Sequence, residues 1–118
     1  MNPGFWSVVG ELGASSRVVV DRPRGSAHPG FPENIYPLDY GFPEDTTSGD
    51  GQGIDVWLGS SDTHHLTAVL CIADLKKRDT ELKLLLGCTL GEMQTIFTFL
   101  NGHPSFQSLL VPRPHKEP

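Results

Sequence analysis

Two spaced pairs of aspartates are the residues of this sequence best suited to chemistry. They are Asp50 and Asp55 in "SGDGQGIDVW", and Asp74 and Asp79 in "ADLKKRDTELK". Carboxylates brought close together raise one another's pKa unless cations neutralise them. Magnesium would do so, and its octahedral shell of oxygen ligands and waters suits spaced aspartates on a rigid sheet. Each pair also has an ordinary reading. Asp beside Gly is a common turn signal, because its side chain bonds its own backbone, and a polar "DLKKRD" between apolar runs is a hairpin turn.

Cations accompany these acids. "DRPRGSAHP" gathers Arg22, Arg24, Ser26 and His28 in a glycine-bearing loop, all able to donate to phosphate oxygens. By charge count alone it is a solvated turn. Strand alternation puts Lys83 on the face that carries Asp79, where it forms either a surface ion pair of little worth or a clamp on a phosphate. "DTHH", Asp62 to His65, has metal-ligating residue types. Adjacent histidines on a strand point to opposite faces, so this stretch reads as a polar loop.

The elements that must position these groups follow from periodicity. Phe5, Val8, Val9 and Leu12 share one helical face near the N-terminus. Residues 16–21 are rich in β-branched side chains and read as a strand that stops at Arg22-Pro23. Pro23 to Pro43 is dense in proline and glycine yet dotted with aromatics, so it is expected to be a long, ordered, irregular segment. Ile54 to Gly59 reads as a strand with Ile54, Val56 and Leu58 on one face and Asp55 and Trp57 on the other. Leu66 to Ala73 and Thr80 to Leu86 form a hairpin, with Leu82, Leu84 and Leu86 on one face and Asp79, Glu81 and Lys83 on the other. Thr89 with Glu92 makes a capping box for a helix whose buried stripe is Leu90, Met93, Ile96, Phe97 and Leu100, with Gly102 as the stop. Phe106 to Val111 is an edge strand before a proline-rich, frayed tail.

Length and charge narrow the function. A chain of 118 residues with 37% apolar content supports one modest core, so residues 1–118 form a single domain. A formal charge of −5 disfavours a nucleic-acid partner held through a broad phosphate-seeking surface. No apolar run is long enough for a membrane span and no secretion signal starts the chain, which implies a cytoplasmic protein with no membrane partner. Cys71 and Cys88 lie in or beside apolar runs and read as reduced, buried thiols. Strands on short turns with one late helix suggest an α+β domain built on a small barrel or curved sheet.

"IYPLDYGFPEDTTSGDGQGIDVWLG" resembles the signature region of the soluble inorganic pyrophosphatases of family I. There, Tyr-Pro and Tyr-Gly pairs precede an Asp-Gly-Asp-x-x-Asp motif. "ADLKKRDTELK" is similar to the family's later element, and "DRPRGSAHPGFPENIYPLDYG" resembles a short, divergent bacterial branch. The resemblance spans about residues 16 to 88. It implies a five-stranded OB-type barrel, here flanked by an N-terminal and a C-terminal helix, and magnesium-dependent hydrolysis of pyrophosphate or another small diphosphate. By position, Asp50, Asp55, Asp74 and Asp79 match the metal ligands. Tyr40 matches a phosphate-contacting tyrosine that joins Asp50 and Asp55 in catalysis, and Lys83 is the nearest counterpart of the phosphate-binding lysine. Glu81 stands where that lysine is expected. The motif's middle aspartate is Gln52, whose neutral amide cannot serve as a general base. Two further readings therefore stand beside hydrolysis: a degenerate relative that binds a metal–phosphate species or a protein without turnover, and an oligonucleotide-binding module on an OB-like barrel. The last helix and strand would tolerate a homo-oligomer interface.

Overall fold

A computed structural model describes residues 3–102 and 104–114. Its elements are α1 (Pro3–Ala14), β1 (Val18–Arg22), β2 (Ala27–His28), β3 (Phe31–Ile35), β4 (Asp39–Pro43), β5 (Val56–Leu58), β6 (Leu66–Asp74), β7 (Asp79–Leu86), α2 (Leu90–Leu100) and β8 (Phe106–Pro112). The end of the expected frayed tail, residues 115–118, lies outside the described residues. No helix among the described residues is long and apolar enough to cross a membrane.

The architecture is α+β. A mixed sheet of six strands runs β1-β4-β5-β7-β6-β8, with β2 and β3 forming a separate hairpin. Where five barrel strands were expected, six are present, because Phe106–Pro112 adds to β6 along its whole length. β5 and β7 pair in parallel, and the other ladders are antiparallel.

The sheet is covered on both sides. Trp6 and Val9 of α1 pack with Val56, Leu84 and Leu86 on one face, while Met93 and Ile96 of α2 pack with Trp57, Leu70 and Leu85 on the other. Double coverage explains the unbroken apolar run Leu84-Leu85-Leu86, since a strand buried on both faces has no polar side. Alternation in β5 holds as expected, with Ile54, Val56 and Leu58 on the α1 side and Trp57 on the α2 side. Leu82, Leu84 and Leu86 likewise share the α1 face.

Four expectations need correction. Helix α1 buries Trp6, Val9 and Gly13 rather than Phe5, Val8 and Leu12, which stay exposed. Gly13 turns this face inward: a Cβ there would stand 3.1 Å from Leu86, so its absence lets the helix lie close to the sheet. In α2, Leu90 is exposed, because the first turn projects beyond the sheet, and only Met93 and Ile96 are fully buried. The capping box is present in both directions, and the helix ends as expected before Gly102, with Asn101 as its C-cap. Cys71 is exposed and only Cys88 is buried, because Cys71 alternates with Leu70 and Ile72, whose side chains fill the α2-side core. Finally, the proline-rich segment contains regular structure. It holds the β2–β3 hairpin and β4, which pairs with β1 and β5. Gly41 makes the first of these ladders possible, because a Cβ there would collide with the Val19 carbonyl at 1.8 Å.

Candidate active site

Sheet register brings the central charged groups together. Val56 pairs with Leu84 and Trp57 with Leu85, and Leu84 N–H donates to the Asp55 carbonyl at 2.9 Å. Asp55 and Lys83 therefore stand side by side one rung further, on the face of Trp57 and Leu85. Tyr40 pairs with Trp57 across the β4–β5 ladder, and Arg22 with Tyr40 across β1–β4. Four adjacent strands thus deliver Arg22, Tyr40, Asp55 and Lys83 to one region of the sheet.

Lys83 is the centre of this group and is only 7% exposed. Its ammonium donates to Asp55 Oδ2 at 2.9 Å and to the Tyr40 hydroxyl, and pairs with Glu81 Oε1 at 2.9 Å. An ammonium has three donors, and these three acceptors use them. Burial works against the Lys83 charge, but the Tyr40 oxygen and the Asp55 and Glu81 carboxylates outweigh it and hold the pKa above the ordinary lysine range. Burial also pushes the Tyr40 pKa upward, with the Asp55 charge adding to it against the pull of Lys83, so the phenol keeps its proton. Tyr40 is then a neutral acceptor, and the charge that balances Lys83 comes from the two carboxylates.

This quartet lines a cavity of about 680 Å³. Arg22 and Lys77 add cations to its wall, Asp50 and Gln52 add oxygen ligands, and Tyr36, Trp57 and Phe99 add rings. Arg22 Nη1 donates to the Tyr36 hydroxyl at 2.9 Å, and its guanidinium lies 5.8 Å from that ring's centre. The indole Nε1 of Trp57 is buried and has no hydrogen-bond partner among the described residues; nothing in the structure accounts for it.

The expected site residues divide. Asp50, Asp55, Tyr40, Lys83, Arg22 and His28 meet at the cavity. Arg24 and Ser26 do not line it: the Arg24 backbone N–H donates to Asp39 and the Ser26 hydroxyl to the Pro23 carbonyl, both turn contacts. Asp74 lines neither this cavity nor the smaller one beside it. Its carboxylate accepts from the backbone N–H groups of Lys76 and Lys77 and so caps the hairpin turn. Asp79 faces it across the ladder and lines only the smaller cavity, with Asp50 and Glu81. The four aspartates therefore do not converge. Asp50 itself is exposed and accepts from the Ser48 hydroxyl at 2.5 Å and the Gln52 backbone N–H at 2.9 Å, bonds that hold its carboxyl below the usual range.

Glu81 and Lys77 line the cavity and were left out by sequence reasoning; for Lys77, on the hairpin turn, no signal marked it, whereas Glu81 could have been found. Its strand face was legible, and its two-residue offset from Lys83 is the signal that pairs them. For magnesium, the carboxylates and the Gln52 amide on the cavity wall offer hard oxygens, and His28 adds one imidazole. Among the described residues no three His, Cys, Asp or Glu groups cluster tightly enough to hold a metal ion. Magnesium is commonly held by one or two carboxylates with waters and substrate phosphates completing the shell, and Asp50 and Asp55 are two carboxylates on the wall of this cavity.

No family model matches the sequence, and no curated protein does. Solved structures do. An inorganic pyrophosphatase from Helicobacter pylori superposes with a TM-score of 0.55 at 16% identity, covering 80% of this chain and 81% of that one. An inorganic pyrophosphatase from Coxiella burnetii gives a TM-score of 0.53 at 13% identity, over 79% and 81% of the two chains. At such identities the likeness is one of backbone architecture, and fold by itself does not specify activity. This chain has the fold of the bacterial inorganic pyrophosphatases.

Proposed function

We propose that the cavity binds inorganic pyrophosphate or another small diphosphate and hydrolyses its phosphoanhydride bond with magnesium as cofactor. The observation that supports this reading is the meeting of Asp50, Asp55 and Glu81 with Arg22 and Lys77 around one cavity. A diphosphate carries negative oxygens that must be neutralised before a nucleophile approaches. Arg22 spends one of its five donors on Tyr36 and keeps others for those oxygens. Lys77, carried on the hairpin, adds a second cation. Lys83 is saturated, so it acts through Asp55, fixing the carboxylate and balancing its charge. Magnesium would be held by Asp50 and Asp55, and when bound it would offset phosphoryl charge and acidify water.

Purified protein assayed for phosphate release from pyrophosphate is expected to need magnesium, and Asp55→Asn to lose at least about a hundredfold in rate, the usual scale for a displaced charge-stabilising group. Release that continues with chelator present, or survives in Asp55→Asn, would refute the assignment.

Gln52 favours a second reading, in which the cavity binds a diphosphate without turnover. Gln52 lines the cavity, stands where the resembled motif carries its middle aspartate, and has a neutral amide that cannot accept a proton. Calorimetric binding of pyrophosphate with no phosphate release would support it. Gln52→Asp is then expected to bring phosphate release about a hundredfold above the uncatalysed background, the lower range for an added general base.

A further inference from the structure

The charged groups of the cavity account for a diphosphate but leave the rest of its wall unused. A cluster of rings continues from the charged quartet. Tyr40 lies 4.7 Å from Trp57, Tyr36 lies 5.5 Å from both Tyr40 and Phe99, and Trp57 lies 5.8 Å from Phe99. Both tyrosines belong to two networks at once. The Tyr40 hydroxyl joins Lys83 while its ring packs on Trp57, and the Tyr36 hydroxyl accepts from Arg22 while its ring packs on Phe99. The ring wall therefore adjoins the charged wall with no spacer between them.

Phe99 and Phe106 line the same cavity and are only partly buried. Pyrophosphate has no apolar surface to offer them. A volume of about 680 Å³ also falls among cavities that take organic ligands of some size, built from apolar walls with a few convergent polar groups.

We propose that the site takes its diphosphate attached to a planar group, and that nucleoside diphosphates are the ligand class, with the base against Phe99 and Phe106 and the phosphates toward Arg22 and Lys77. This rests on the diphosphate reading above and specifies what the diphosphate carries. Base–ring stacking is tolerant of base identity because every base presents a π-face, so the preference is for nucleotides as a class.

Titration calorimetry with two analogues that resist hydrolysis tests it: methylenediphosphonate for pyrophosphate, and α,β-methylene adenosine diphosphate for the nucleotide, both with magnesium present. The nucleotide analogue is expected to bind about tenfold or more tightly than the diphosphonate, the scale of one stacked base. Phe99→Leu and, separately, Phe106→Leu, which keep apolar bulk against the core but remove the stacking ring, should abolish that advantage and leave the diphosphonate affinity unchanged, which also shows that each variant is folded. Equal affinities in the wild type, or an advantage that survives both variants, would overturn the proposal while diphosphate binding stands. Failure of both analogues to bind would overturn the diphosphate reading along with it.

Discussion

Lys83 is a basic residue in the interior, and its neighbours explain why it is tolerated there. A buried ammonium is costly unless its charge is balanced and its donors are met. Asp55, Glu81 and Tyr40 do both. Lys83→Met would leave two carboxylates facing each other without their counter-ion. Because both carboxylates are about one-third exposed, water softens the loss, and destabilisation of about 2 kcal/mol is expected in urea unfolding. A loss below about 0.5 kcal/mol would show that the group is solvated and the pairing incidental. Cys88 makes a pH-dependent contribution. Burial, and then the Glu92 charge, push its thiol up to about 12 from an ordinary 9.0. Between those values the folded chain holds a proton that the unfolded chain has released, so stability falls as pH rises through that window. Below pH 9 both states are protonated and the contribution is whole. Urea midpoints measured from pH 8 to 11 should decline less steeply in Cys88→Ala than in the wild type. Parallel slopes would contradict a thiol held protonated by the fold.

The helices hold the two faces of the sheet by different means. In α2 the start is specified locally: Thr89 Oγ1 accepts from the Glu92 N–H at 3.1 Å, and Glu92 accepts from the Thr89 N–H at 2.9 Å. Glu92 also accepts from the Ser60 N–H, tying the helix to the loop after β5. Slight burial raises the Glu92 pKa, but these bonds outweigh it and hold the carboxyl below its ordinary value. Its stabilising share is present above the unfolded carboxyl pKa and is lost as pH falls through the folded one. Thr89→Ala is expected to cost about 1 kcal/mol in chemical unfolding, the usual loss for a removed N-cap. An unchanged midpoint would mean that packing of Met93 and Ile96 alone sets the helix start. Helix α1 has no capping carboxylate in its first turn and depends on Trp6 and Val9 fitting the sheet.

At the scale of the whole molecule, the sheet is covered on both faces and the charges of the site are balanced within the chain. Lys83 performs inside the protein part of the neutralisation that a metal would otherwise supply to Asp55 and Glu81. The fold should therefore stand without metal. Thermal unfolding with and without a chelator is expected to give the same midpoint, whereas magnesium and methylenediphosphonate added together should raise it, since a ligand that binds only the folded state stabilises it by mass action. A midpoint that drops on chelation would show a resident structural ion and a different balance of charge.

Much of the frame is legible in the sequence. The alternation of β5 and β7, the 74–79 hairpin and the capping box of α2 are written in local patterns of residue type, and so is the strand character of β8, although its partner β6 is distant in sequence. The expected face of α1 was wrong because two faces were apolar enough, and the choice between them depended on Gly13 meeting Leu86 from another element. The site divided in the same way. Asp55 and Lys83 are 28 residues apart along the chain, and only the parallel β5–β7 register makes them neighbours. Whether Asp50, Asp74 and Asp79 serve a cavity or cap their own turns depends equally on where the strand ends lie in space. Sequence by itself determined which residue types alternate on each strand and where the helix begins; tertiary structure decided which of the acids share a cavity, because that depends on distances between segments that no local pattern encodes.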